Sequence, residues 1–474
     1  MTKQDEFTTS ALELSTTFQG AVAPLPQLDI VRCLLFLRYA APDAFSFGHG
    51  EKPLAIPEES SWLYLARHEH DLARAIGRAC LKLEEANPAL EGLLTTVDFK
   101  QLEPWNDERR DRILGQLIAG ISRLPSTTSI GDAYDSFVLH IAESSGKRGG
   151  ELFLSIPLAQ LMVEILDLRN GMSVCDPVCR AGRTIVECAK RAAEQNLRIV
   201  LSAQEPSNQL RGIARMDLLM RGIHSARIEA GDVLPSPKLV EKGQLLQYDR
   251  VVSAPPINRD NWGAEEAAED HFNRFPIVPP KHNADYAYIL HCLSTIKNGG
   301  RAVILTGRGV LFRQGGEERI RKMLLLGDHI EAIVGLPGGL LYGTHIPAAL
   351  LVLRKGASSR SGRVLFVEVH HPDRHRSRHE AFTANDIESI AHCVHRFEDA
   401  PGLARIVAVA DIEQNQWGLN PAIYIQHETS NSSMNVMDFA VRIEAIRRLE
   451  AERDKLTGKM DDLVKELTEQ LDRG

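Results

Sequence analysis

Nowhere in the 474 residues do about 18 apolar residues run together, so no segment reads as a membrane-spanning helix. The opening residues, Met1 to Leu14, hold no apolar core of the kind an export signal needs, and a cytoplasmic location is expected. Cysteine is sparse: seven residues, an odd number, scattered from Cys33 to Cys393 in mostly apolar surroundings. That pattern excludes a disulfide framework and fits free thiols in a reducing compartment. Cys175 and Cys179 lie close together, but no second close pair completes a zinc site, so no metal is expected. A basic excess is also missing. The net charge is −8, whereas a protein that grips DNA alone usually carries a strong positive balance. Any contact with DNA must therefore be local or supplied by a partner. Internal repeats and low-complexity tracts are absent too.

What is present is an ordinary globular composition, 43% apolar and 25% charged, in a chain long enough for two or three domains. Residues 1–125 read as a helical domain. Leu28 to Tyr39, Leu63 to Leu83 and Asp111 to Leu124 carry apolar residues at helical spacing, and the segment after Leu124 is a natural break. Residues 126–428 alternate strand and helix patterns. Strands are expected at Ser173–Cys175, Ile199–Ala203, Arg227–Ala230, Arg250–Ser253, Ala302–Leu305, His329–Val334, Ala348–Leu353 and Val364–Val367. Helices are expected at Ser207–Arg221, Tyr286–Lys297 and Glu317–Leu326. The fold class is therefore α/β, a Rossmann-like doubly wound sheet covered on both faces, with ligands at the carboxyl ends of its strands. Residues 429–474 form a C-terminal amphipathic, coiled-coil-like helix. Phe439, Ile446, Leu449, Leu456, Met460, Leu463 and Leu467 fall on one seam, which must pack on another helix, in its own chain or in a partner.

Four motifs lie at the ends of successive strands. Asp176 closes the first, followed by a tight loop, Pro177 to Gly182, and a helix from Arg183. Gln204-Glu205 ends the second, where an acid can accept hydrogen bonds from a ribose diol. Gly231-Asp232 follows the third, where an acid can pair with an adenine amino group. Ala254-Pro255-Pro256-Ile257 follows the fourth, and paired prolines there make a rigid turn. Each is weak alone; their order is informative.

Together with Ile130-Gly131-Asp132-Ala133-Tyr134-Asp135, Lys147 to Glu151, Ala284 to His291, Gly309 to Arg313, Ile333 to Thr344 and Trp417 to Tyr424, they resemble the N6-adenine DNA methyltransferases. The resemblance is to the modification subunits of type I restriction–modification systems and covers about residues 128–425. It implies a methyltransferase core that binds S-adenosylmethionine through Asp176, Arg180, Gly182, Glu205 and Asp232, and a catalytic turn at Ala254, Pro255, Pro256 and Ile257. It also implies the helical end, 429–474, as a docking element for a specificity-type subunit or an active methyltransferase paralogue, with DNA engaged within the complex.

The same comparison exposes departures. The family's cofactor loop reads D-P-x-C-G-S-G-G; here Arg180, Ala181 and Arg183 stand for its first glycine, its serine and its last glycine. An arginine in a glycine's place is strained and brings a long side chain toward the donor, although it could pair with the donor's carboxylate. Leu154 and Ser155 stand for the threonine and proline that help hold the donor's methionine end. The catalytic turn, N-P-P-F in the family, has Ala254 for the asparagine and Ile257 for the phenylalanine. Alanine offers no acceptor for the target amino group and isoleucine no ring for the extruded base. Losing a positioned polar group costs roughly 10²–10⁴ in rate. Asn258 lies on the wrong side of the prolines to replace the asparagine. The expectation is a catalytically inactive, structural and DNA-positioning component of a restriction–modification or phage-defence assembly. The alternative is an active S-adenosylmethionine-dependent N6-adenine DNA methyltransferase. The polar stretch His370 to His379 reads as a solvated basic loop, with Arg374, Arg376 and Arg378 as candidate phosphate contacts.

Overall fold

A computed structural model describes residues 24–40, 54–95, 97, 106–124, 130–144, 154–341, 346–369 and 382–425. They belong to one compact unit, Met1–Ile425. The C-terminal seam expected at 429–474, the stretch His370 to His379, and residues Lys147 to Glu151 and Tyr342 to Thr344 lie outside the described residues.

The first layer is helical: α1 (Pro24–Tyr39), α2 (Trp62–Ala66), α3 (Leu72–Ala86), α4 (Asp107–Ser122) and α5 (Ile130–Ser144). Leu28, Ile30, Val31, Leu34, Phe36 and Leu37 of α1 are all inaccessible to solvent, and even its charged Asp29 and Arg32 are buried, paired with each other at 2.8 Å, so this helix is enclosed by the rest of its bundle. The apolar run Leu63 to Leu83 is two helices rather than one. The chain turns through a left-handed Asp71 (φ 55°), and the Asp111 carboxylate of α4 accepts the N–H groups of Asp71 (2.7 Å) and Leu72 (2.8 Å). A side-chain cap from a neighbouring helix thus fixes a boundary that periodicity alone did not mark. Tyr134 and Phe137 of α5 belong to the same apolar cluster.

The second layer is a nine-stranded sheet. In chain order its parts are α6 (Ile156–Leu166), β1 (Ser173–Asp176), α7 (Arg183–Glu194), β2 (Val200–Glu205), α8 (Asn208–Met220) and β3 (Arg227–Ala230). A two-stranded ribbon, β4 (Val240–Glu241) and β5 (Gln244–Leu245), intervenes. Then come β6 (Tyr248–Ser253), α9 (Asp285–Ser294), β7 (Ile296–Gly307), α10 (Gly316–Leu326), β8 (Ile330–Gly335), β9 (Ala348–Arg354) and β10 (Arg363–Glu368). The last parts are α11 (Ala384–Arg396), β11 (Ala404–Ala408) and α12 (Val409–Gln414).

The strand order is β11-β10-β8-β9-β7-β6-β1-β2-β3, with β9 antiparallel to both neighbours and β11 antiparallel to β10. Every residue of β9 is buried. Ala348, Leu350 and Val352 face the cluster formed with α6, α7 and α11, while Ala349, Leu351 and Leu353 face α9 and α10. A strand apolar on both faces is what a sheet covered by helices on both sides requires. The order reverses between β1 and β6, which places a crevice over their carboxyl ends. Helix α8 joins the two layers: Ile213, Met216 and Met220 enter the helical core, and Leu218 enters the sheet core.

Candidate active site

Four strand ends meet at that crevice. Asp176, the last residue of β1, is enclosed: its carboxylate accepts from Val178 N (3.0 Å), Ser253 Oγ (3.1 Å) and the Thr184 hydroxyl. Burial pushes its pKa up to about 6 despite these donors. Asp176 therefore ties the ends of β1 and β6 to the start of α7.

The loop after it departs from an open glycine cradle in a specific way. Arg180 adopts the left-handed conformation (φ 53°), the region that a glycine enters freely and an arginine does not. Its backbone N–H donates to Glu205 Oε2 (2.9 Å), and Ser207 N donates to Glu205 Oε1 (2.9 Å). The acid at the end of β2 is thus buried and bonded at both oxygens by its own chain, and burial raises its pKa. Gly182 is also left-handed (φ 84°). A Cβ on it would lie 2.6 Å from Ala214 Cβ and 2.9 Å from Ala214 Cα, so this glycine serves close packing of the loop on α8.

Arg183, in the place of the family's last glycine, turns away from the loop. Its side chain, 10% exposed, pairs with Asp135 of α5 (2.6 Å) and with Glu187 (3.5 Å). Arg221 pairs with the same Asp135 (2.9 Å) and with Asp217 (2.8 Å), and Lys190 approaches Asp135 (3.7 Å). Burial opposes ionisation of Asp135, but Arg183, Arg221 and Lys190 outweigh it and hold its carboxyl below the usual range. The substitution thus builds an interior ion-pair network that fastens α7 and α8 to the helical layer.

Asp232 follows β3. Its Oδ1 accepts from Leu234 N (3.1 Å), and its Oδ2 accepts from the guanidinium of Arg259, which also donates to Tyr288 Oη (2.7 Å). Gln204 fixes this stretch from beneath by bonding Gly231 O, Ser236 O and Lys238 N.

The turn Ala254 to Ile257, which the resemblance marks as the catalytic position, follows β6. Ala254 and Pro255 are buried, Pro256 is exposed and Ile257 is half-buried against Gly307, where a Cβ would come within 3.0 Å of its Cγ2. Asn258 has a side-chain carbonyl, but it accepts from Arg313 Nη2 (2.7 Å) and Asn283 Nδ2 (3.1 Å). Asn258 N in turn donates to Asp285 Oδ1 (2.9 Å). The amide is therefore drawn toward α9 and α10. At the start of α6, the Ser155 hydroxyl is buried and has no partner among the described residues. No group of three or more metal-ligating side chains occurs among the described residues.

The structure brings Asp176, Arg180, Gly182, Glu205, Asp232 and the turn Ala254 to Ile257 to one edge of the sheet. Arg259, Tyr288, Asp285 and Arg313 hold that edge together; the segment Gly309 to Arg313 contained the last of them without assigning it a role. The post-catalytic helix signal at Ala284 to His291 covered Tyr288 and Asp285, but nothing local marked Arg259.

This mostly parallel sheet, with one antiparallel strand inserted between β7 and β8 and acids at the ends of β1, β2 and β3, defines the methyltransferase class of α/β fold. The chain belongs to the N-6 DNA methylase family, whose model matches residues 126–433. It is similar to the type I restriction enzyme MjaVII methylase subunit of Methanocaldococcus jannaschii, 28% identical over 371 residues, 74% of this chain and 63% of that protein. It is also similar to the HindI methylase subunit of Haemophilus influenzae, 27% identical over 348 residues, 71% of this chain and 76% of that protein. The chain spans less than two thirds of the length of three M. jannaschii methylase subunits that it matches, 62% to 65%. In fold it is similar to a type I restriction-modification methyltransferase subunit from Streptococcus thermophilus, with a TM-score of 0.76 and 20% identity over 90% of this chain and 100% of that one.

The two acids that the resemblance assigns to the ribose and adenine of S-adenosylmethionine, Glu205 and Asp232, already accept hydrogen bonds at both oxygens from partners in the chain itself.

Proposed function

We propose that this protein is a modification-type subunit that does not itself methylate DNA, and that it serves as a structural and DNA-positioning member of a type I restriction–modification or defence assembly. The observation that carries this reading is the turn after β6. Activating an extruded adenine takes two acceptors facing its amino group, one from a side chain and one from a backbone carbonyl. Here Ala254 supplies no side-chain oxygen, and the nearby amide of Asn258 is engaged by Arg313 and Asn283. Ile257 offers no ring to offset the few kcal/mol, about 1–3 from stacking, that base extrusion needs. The kept framework supports an architectural role: the sheet is intact, and charged residues weld the former cofactor loop to the helical layer.

In such an assembly a specificity-type subunit, or an active methyltransferase paralogue, reads or modifies DNA while this chain holds geometry. Its net charge of −8 agrees with contact to DNA made jointly with a partner. The competing reading, an active N6-adenine methyltransferase, draws on Asp176, Pro255 and Pro256, which match the active family. One experiment separates them. The full chain, alone and co-purified with its native companions, is incubated with labelled S-adenosylmethionine and duplex DNA. No label on adenine attributable to this chain is expected, with the companion complex still shifting DNA in a gel. Label that persists when the companion's own catalytic turn is disabled, and disappears when this chain is omitted, overturns the proposal.

A further inference from the structure

We infer that Arg259 is a built-in latch that closes the nucleobase end of the donor crevice. The inference deepens the reading above and rests on it for why the crevice can remain shut.

Asp232 follows β3 and Arg259 follows β6, and the sheet order places β1 and β2 between those strands. At about 4.8 Å per strand, the two chain segments start roughly 14 Å apart. The Arg259–Asp232 pair joins the loop after β6 to the loop after β3, on the carboxyl side of the sheet where β1 and β2 also end. Its side chains are 30% and 20% exposed, so the pair lies at the rim and not in the sheet core.

The backbone aims the arginine. Asn258 (φ 56°) and Asn261 (φ 48°) are both left-handed and bracket it. Asn258 is fixed by Asp285, Asn283 and Arg313, and the Arg259 carbonyl accepts from Ala284 N (2.9 Å). With its base so held, the guanidinium makes two bonds at once, to Asp232 and to the Tyr288 phenol. The hydrogen bond to Asp232 keeps it firmly protonated.

The chemistry opposes adenosine specifically. An exocyclic amino group is a donor and needs an acceptor, which the Asp232 carboxylate would supply. Asp232 already accepts from Leu234 N at one oxygen and from the guanidinium at the other, so an incoming amino group meets a cationic donor on the same acid and must compete with it for the remaining lone pairs. A ligand that takes the Oδ2 side of this acid must displace a charge-assisted bond.

The test is titration calorimetry on the full chain with S-adenosylhomocysteine as probe, comparing wild type, Arg259→Ala and Arg259→Lys. Arg259→Ala is expected to bind at least tenfold tighter than wild type. Arg259→Lys should fall between them, because an ammonium keeps the charge but reaches both acceptors less well. Equal affinity of wild type and Arg259→Ala, whether tight or undetectable, overturns the latch. Should Arg259→Ala fail to fold, Tyr288→Phe removes one of the two bonds; a severalfold gain in binding supports the latch and no gain overturns it. Methyl incorporation is scored separately. Transfer by Arg259→Ala but not by wild type would refute the inactive reading of the turn while leaving the latch standing, and binding without transfer upholds both.

Discussion

Restoring the family's glycine at position 183 should destabilise this protein and not revive it. In Arg183→Gly, Asp135 loses its 2.6 Å partner inside the protein, where its own side chain is only 8% exposed. Stripping a buried ion of all its partners costs about 3–5 kcal/mol. Asp135 keeps Arg221 at 2.9 Å and Lys190 at 3.7 Å, so the loss from this source should be nearer about 2–3 kcal/mol. A glycine at the first position of α7 adds roughly 0.5–1 kcal/mol from backbone entropy.

The assay is chemical denaturation of wild type, Arg183→Gly, Asp135→Asn and the double variant. The double variant should be more stable than the sum of the single losses implies, by a coupling of about 1–3 kcal/mol. Donor binding should not improve in Arg183→Gly, because the arginine points to α5. An Arg183→Gly protein as stable as wild type, or strictly additive losses, would refute the view that this arginine is a structural tie.

Three further outcomes are expected. Arg180→Gly should stabilise the chain by up to about 1 kcal/mol, because it relieves a left-handed arginine, and denaturation midpoints read this directly. Gly182→Ala should cost about 3 kcal/mol or more through the clash with Ala214, and adding Ala214→Gly should recover part of that loss but not all, since the Ala214 backbone is also in the way. For Asp176 the folded pKa of about 6 lies above the unfolded 3.8, so the folded state holds the proton longer and stability falls as pH rises through that window. The full penalty is about 3 kcal/mol, of which roughly 1–1.5 kcal/mol develops between pH 5 and 7.5. Asp176→Asn should therefore gain that much relative to wild type over this range in urea unfolding, and a difference that stays constant with pH would show that Asp176 does not titrate there.

Much of the fold was legible because it rests on local regularities. The strands from β1 to β10 in the main sheet, with β9 apolar on both faces, announced themselves by composition and spacing. The acids and the proline pair stood in order at strand ends. Less legible were the short ribbon β4–β5, the edge strand β11, and helices α6 and α11, whose patterns are brief or mixed. Helix α9 ends at Ser294 because Ile296 opens β7 and pairs with Tyr248 of β6, a tertiary event that no helical periodicity could signal. The resemblance also showed which positions had changed, Arg180, Arg183, Ala254 and Ile257, without showing what the new side chains do.

The sequence by itself determined the class of fold, the family, the order of the site segments, and the lack of a side-chain acceptor at position 254 in the turn after β6. These depend on residue identity and on periods of two and 3.6, which a linear chain displays in full. Only the tertiary structure decided that Arg183 leaves the loop to bind Asp135, that Glu205 is bonded by the backbone of Arg180, and that Arg259 reaches Asp232. Each is a contact between residues 25 to 48 positions apart. Its direction depends on the helix packing and loop geometry that carry each side chain, and no local pattern encodes where a guanidinium will point.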